Sequence, residues 1–243
     1  MIYQTAEFVF EAPAAIHTAK RVLIKPSASY PAPYPISTSR DMLATIINGI
    51  RKVSDADILL LEGTPTGEPV YPIYKALGYD FPRVLTLDVK DCTWVEVDNP
   101  LPKPFAVPTF WIPNVILSSD YLITLSPLKI LGGNGDLSLM NLLTVLPQSK
   151  YGGTDESSFA SLYSLGIDRV IADLYFTLPF DLGIIEGQQK LINANGPYQG
   201  KPEDYGKVFM GEPYQIDGEA TEALGIQTNY LNLIKAAKED FET

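Results

Sequence analysis

The chain has 243 residues, with 18 Lys and Arg against 29 Asp and Glu, a formal net charge of −11. That field opposes nucleic-acid phosphates and anionic membrane surfaces, and no basic run or basic-aromatic stripe offsets it. A single cysteine, Cys92, excludes an intramolecular disulfide framework, a zinc knuckle and an intrinsic four-thiolate iron–sulfur cluster, and it fits a reducing, cytoplasmic setting.

Short apolar runs alternate with segments of helical period, punctuated by Gly and Pro. This predicts an α/β fold with a mixed, largely parallel sheet flanked by helices on both faces, in one domain spanning 1–243. In chain order, strands are expected at 8–11 and 21–24, followed by a proline-rich loop at 26–35. A helix comes next at 40–53, where Met42, Leu43, Ile46, Ile47 and Ile50 form one apolar face and Ser39 caps the first turn. After it come a strand at 57–61, a helix at 70–77, and strands at 83–88 and 94–97. The stretch 100–113 reads as an ordered loop, because its prolines oppose sheet pairing while Phe105, Phe110 and Trp111 offer apolar anchors.

Beyond it, strands are expected at 121–125, 182–185 and 207–210, and helices at 137–145, 156–165, 168–176, 218–224 and 229–241. Gly78, Gly166 and Gly225 stand just past three of the helices, where a left-handed cap suits glycine. The most apolar span, 115–131, is broken by Ser118, Ser119, Asp120 and Lys129, too soon for a membrane helix. Residues 1–15 lack the basic and apolar regions of a secretory signal.

The strand exits suggest where chemistry could sit. Lys25-Pro26-Ser27, Glu62-Gly63-Thr64, Ser126-Pro127 with Lys129, and Glu186-Gly187 each place a charge beside Gly or Pro at the end of a strand. In a parallel sheet all carboxyl ends lie on one edge, where ligands bind in the crevice between diverging connections. Lys25, Glu62, Gly63, Lys129, Glu186 and Gly187 are therefore candidate ligand-binding residues, against the plainer reading that loops are polar everywhere.

The glycine-rich run 131–136 matches neither a Walker loop nor a dinucleotide fingerprint, and Asp136 is expected to cap the helix after it. Glu186, Glu212 and Asp217 would hold a divalent cation, or act as an acid/base pair, only if they meet. No metal site and no catalytic residue is assigned. His17 has no second histidine to complete a zinc site, and Cys92 reads as an inert, half-buried thiol.

The same motifs, in order, resemble those of the family known as domain of unknown function 362. Val22-Leu23-Ile24-Lys25-Pro26 is similar to its Ile-Lys-Pro-Asn opening, with Ser27 in place of the asparagine. Leu59-Leu60-Leu61-Glu62-Gly63 resembles its second strand and acidic-glycine turn, and Leu77-Gly78-Tyr79 its Thr-Gly-Tyr helix end. Ser126-Pro127-Leu128-Lys129-Ile130-Leu131 is similar to its Pro-Lys-Leu-Lys-Thr-His motif, but Pro127 replaces a lysine and Leu131 the histidine.

Leu139-Met140-Asn141-Leu142 with Pro147 resembles its Leu-Lys-Asn-Leu helix, lacking the lysine and glycine. Ile184-Ile185-Glu186-Gly187, Gly196-Pro197 and Gly211-Glu212-Pro213 through Asp217 resemble its Val-Asp-Gly, Gly-Pro and Asp-Pro-x-x-x-Asp motifs. The resemblance adds Asn141 and Asp217 to the candidate ligand-binding residues. Some relatives carry ferredoxin-like iron–sulfur segments, whose cysteines are missing here.

The expected function is binding of a small, anionic molecule, with enzymatic activity left open. Lys25 and Lys129 would grip the anion, while Glu62, Glu186 and Asp217 orient it or a cation. The rival is a noncatalytic assembly protein, using the aromatic-proline segment 105–113 as a homo-oligomer contact. An electron-transfer accessory is a third reading.

Overall fold

The computed structural model describes residues 1–152, 159–193 and 200–241. In chain order the elements are β1 (Ile2–Gln4), β2 (Arg21–Pro26), α1 (Arg40–Arg51), β3 (Asp57–Glu62), α2 (Tyr71–Leu77), β4 (Val84–Asp88), β5 (Trp94–Asp98) and β6 (Thr109–Pro113). They continue with α3 (Asn114–Leu117), β7 (Tyr121–Leu131), β8 (Asn134–Asp136), α4 (Gln148–Tyr151), α5 (Ala160–Ser164) and α6 (Ile167–Thr177). The last are β9 (Leu182–Asn193), β10 (Lys201–Gly211), α7 (Pro213–Leu224) and α8 (Asn229–Phe241).

The main sheet runs β1-β10-β9-β7-β2-β3-β4, with β8 paired to β7. Strands β9, β7, β2, β3 and β4 are mutually parallel, while β10 is antiparallel to β9 and β1 to β10. Buried on both faces, β2 and β3 are continuously apolar from Val22 to Ile24 and from Ile58 to Leu61, and they sort these side chains by alternation. Leu23, Leu59, Leu61 and Leu122 join one core with α6 and α8. Val22, Ile24, Ile58, Leu60 and Ile123 join another with α1 and α2. Helices therefore cover both faces, as the sequence predicts.

The amphipathic helix lies where expected, with Met42, Leu43, Ile46, Ile47 and Ile50 buried and the Ser39 side chain accepting the Met42 N–H. Gly78 and Gly225 adopt the left-handed cap at φ +72° and +64°. Gly166 also has a positive φ, +90°, but with ψ 104° it leads into α6 rather than closing a left-handed cap.

Several elements differ from expectation. The strand expected at 8–11 is not one, because β1 already occupies the edge of β10, pairing Ile2 with Phe209. Phe10 instead packs on α1 at Gly49, where a Cβ would approach its ring to 2.5 Å. The expected proline-rich loop contains β6, antiparallel to β5 from Trp94↔Pro113 to Asp98↔Thr109. A two-stranded ribbon tolerates its terminal proline because each strand keeps a free edge.

Strands β7, β9 and β10 run well past their expected ends, since they pair with one another beyond the central sheet. The segment expected as a helix at 137–145 begins after β8 and carries a 3-10 helix, Met140–Val145. Helix α7 starts five residues earlier than the expected 218, at Pro213. Of the helix expected at 156–165, α5 covers Ala160–Ser164, and its start lies outside the described residues, as does Gly196-Pro197.

Candidate functional site

Strand order reverses at β2. The chain moves outward from it through β3 and β4 on one side, then crosses to β7 and β9 on the other. Such a switch point leaves a crevice between diverging connections at the carboxyl ends of the strands. Lys25 sits at that end of β2 and Glu62 at that end of β3.

Both residues are wholly buried and form an ion pair, with Lys25 Nζ 2.8 Å from Glu62 Oε1 and 2.9 Å from Oε2. Lys25 also donates to Asn141 Oδ1 at 2.9 Å and to the Pro26 carbonyl at 3.0 Å. Glu62 accepts the Ala28 N–H, the Gly63 N–H and the Thr144 hydroxyl, at 2.7, 3.0 and 2.6 Å. Burial pulls the Lys25 ammonium below its ordinary value, against the opposing attraction of Glu62.

Asn141 and Thr144 stand three residues apart on the 3-10 helix, one turn, so both face the pair. The Asn141 amide closes the network by donating to the Lys25 carbonyl, the Thr124 hydroxyl and the Leu125 carbonyl. Gly63 is required beside it, because a Cβ there would lie 2.6 Å from the Thr144 carbonyl oxygen.

Above this sealed network lies a cleft of about 200 Å³. Ser27, Ser29 and Tyr30 form one wall, Lys129 and Asp136 a second, and Asn141 and Thr144 the floor toward the ion pair. Phe159 and Tyr163 supply an aromatic side. Lys129 Nζ pairs with Asp136 Oδ2 at 2.7 Å and reaches Ser27 Oγ at 3.5 Å. Asp136 is therefore the partner of Lys129 across the β7–β8 hairpin, where they stand opposite in register, and not the helix cap expected of it.

The remaining candidates lie elsewhere. Glu186, on β9, turns to the α1 face, where Oε2 accepts the Ser39 N–H at 2.9 Å, and burial pushes its pKa up to about 7. Gly187 serves strand packing, since a Cβ would sit 2.7 Å from the Lys207 carbonyl oxygen. Asp217, on α7, is wholly buried and accepts the Ser138 N–H and hydroxyl, the Leu139 N–H and the Tyr230 hydroxyl. Burial raises it to about 6, although all four donors favour the charged form.

Glu212 caps α7 and accepts the Tyr175 hydroxyl. The three acids that would have shared a cation thus take separate partners, and no group of three potential ligands is assembled among the described residues. The Cys92 thiol donates to the Asp88 carbonyl, and burial raises it to about 11, as suits an inert side chain. Of the aromatic anchors in the proline-rich segment, Phe110 is fully buried, while Phe105 and Trp111 are half-buried against the same core.

Sequence reading missed Ser27, Asp136, Thr144 and the tyrosines of the cleft. Thr144 had a usable signal in its three-residue spacing from Asn141, and Ser27 in its place at the exit of β2; Tyr30 arrives through the loop after β2, Asp136 through the β7–β8 hairpin and Tyr163 through α5.

No helix among the described residues is long and apolar enough to cross a membrane. A family model described as Domain of unknown function (DUF362) matches residues 22–221, and the chain belongs to that family. A search of curated proteins finds no match.

Proposed function

We propose that this family member binds a small anionic molecule in the cleft at the carboxyl ends of β2 and β7, with Lys129 as the cation that meets it. The supporting observation is the contrast between the two lysines. Lys25 is enclosed by Glu62, Asn141 and Pro26 and has no surface to offer. Lys129 borders the cleft, and its ammonium has three donors, of which Asp136 takes one while Ser27 stands at a long 3.5 Å. A carboxylate or phosphate oxygen entering the cleft competes with Asp136 for that ammonium and gains charge-assisted hydrogen bonds.

Ser27 brings a hydroxyl for a further polar atom, the Ser29 and Thr144 hydroxyls being donated to the Gly63 carbonyl and to Glu62, and Tyr30 and Tyr163 bring ring surface. About 200 Å³ is smaller than a drug-sized pocket, which favours a small ligand. The roles expected of Glu186 and Asp217 in orienting the ligand do not enter this reading, since both face other parts of the fold.

Isothermal titration with inorganic phosphate and malonate tests the proposal. Lys129→Ala is expected to weaken binding of whichever probe the native chain takes up by at least about tenfold, the scale of one charge-assisted hydrogen bond. Its urea midpoint should move little. Unchanged affinity in the variant, or a loss of stability as large as the loss of binding, would refute the role of Lys129.

A further inference from the structure

At the opposite end of the sheet, three helices bring together an aromatic recess. Tyr175 comes from α6, Tyr214 from the first turn of α7, and Lys238 from the last turns of α8. The two tyrosine rings lie 6.1 Å apart at 49°, and the Lys238 ammonium sits 4.9 Å from the centre of one and 4.3 Å from the other. Tyr175 and Lys238 also border a cavity of about 380 Å³, with Phe180, Asp181 and Glu212 in its lining, while Tyr214 meets Lys238 from outside that lining. The Tyr175 hydroxyl donates to Glu212 Oε1 at 3.0 Å, which fixes that ring and holds a carboxylate at the rim.

Ring faces carry negative charge density, and two faces converging on one point form an environment for a cation, strongest for an ammonium with little hydration. The carboxylates of Glu212 and Asp181 add to the same potential, within a chain whose net charge is −11. Lys238 fills this environment from its own chain, as a tethered and strongly hydrated ammonium.

We propose that this recess is a binding site for a small organic cation, of the alkylammonium or quaternary ammonium class, which Lys238 occupies until the ligand displaces it. The site lies away from the cleft, near the amino ends of β7 and β9, where Asp181 accepts the Leu122 N–H. It is independent of the anion reading. Because ligand and Lys238 compete for one place, removing the lysine exposes the affinity that it masks.

Choline and its neutral isostere 3,3-dimethyl-1-butanol provide the test, by calorimetry and by tyrosine ring shifts in nuclear magnetic resonance. Lys238→Ala is expected to bind choline about tenfold more tightly than the native chain, from the strength of two cation–ring contacts. Adding Tyr214→Ala should abolish the gain, and the isostere should show none. Lys238→Gln, which keeps the stem and loses the charge, replaces the alanine variant if that one unfolds. Equal choline affinity with and without Lys238, or equal gain for the isostere, overturns the proposal. So does a lowered melting temperature with no gain in choline affinity, which would confine Lys238 to holding α8 in place.

Discussion

Glu62 and Asp217 are both carboxylates without exposed surface, yet the fold buries them by different means. Glu62 is met by a full positive charge, Lys25, at the edge of a cleft. Asp217 is met only by dipoles, two backbone N–H groups and two hydroxyls, and lies between α7, α8 and the segment before the 3-10 helix. The difference separates a polar network that supports a site from one that fastens elements together. An ion pair next to a cleft holds charges whose partners lie on either side of the switch point, whereas Asp217 ties Ser138 to Tyr230 with nothing left to offer.

The largest effect expected from disturbing this contrast is at the ion pair. Lys25→Met leaves Glu62 buried without its cation and should cost about 3–5 kcal/mol in urea unfolding, the penalty of breaking rather than replacing a buried pair. Lys25→Met with Glu62→Met should recover part of that loss, and failure to recover any would mean that the Ala28, Gly63 and Thr144 donors dominate.

Glu186 sharpens the comparison, as a buried acid that meets Ser39 in place of a cation or a set of four donors. Its carboxyl is raised from 4.5 to about 7 by burial, so between those values the folded state binds a proton that the unfolded state releases. The resulting stability is fully present below about pH 4.5 and is lost as pH rises through about 7. By linkage it amounts to roughly 3 kcal/mol. Urea midpoints from pH 4.5 to 8 should follow that slope in the native chain, and Glu186→Gln should flatten it. A slope unaltered by the substitution would assign the effect to other groups.

At Asp217, Asn retains one acceptor oxygen and forces two donors to lose partners. A cost of about 2 kcal/mol is expected, with probe binding in the cleft intact. Loss of binding at preserved stability would move Asp217 into the site after all. Lys129→Ala should cost less stability than Lys25→Met, since the Lys129 and Asp136 side chains keep 11% and 20% exposure where Lys25 and Glu62 keep none, and there the binding loss should be the dominant signal.

Much of the architecture was legible in local pattern. Alternating apolar runs and helical periods located the central strands, and the Ser39 cap and the face of α1 followed from side-chain chemistry alone. The charged strand exits pointed to the carboxyl edge, and the structure brings Lys25, Glu62, Lys129 and Asn141 around one network and its cleft. Glu186 shared that signal and still faces the other way. It lies beside Pro127 in register, where β7 and β9 shift against each other, and that shift has no local signature.

Periodicity, turn residues and charge placement are properties of neighbours in the chain, and they were enough to specify the sheet with helices on both faces and the edge where charges gather. The destination of each carboxylate came from tertiary contact alone. Lys25 meets Asn141 across 116 positions and Asp217 meets Ser138 across 79, and β5 finds its partner inside a proline-rich stretch. A buried charge takes whichever donors the packed elements bring to it, and that depends on strand order and register, which no local window of residues encodes.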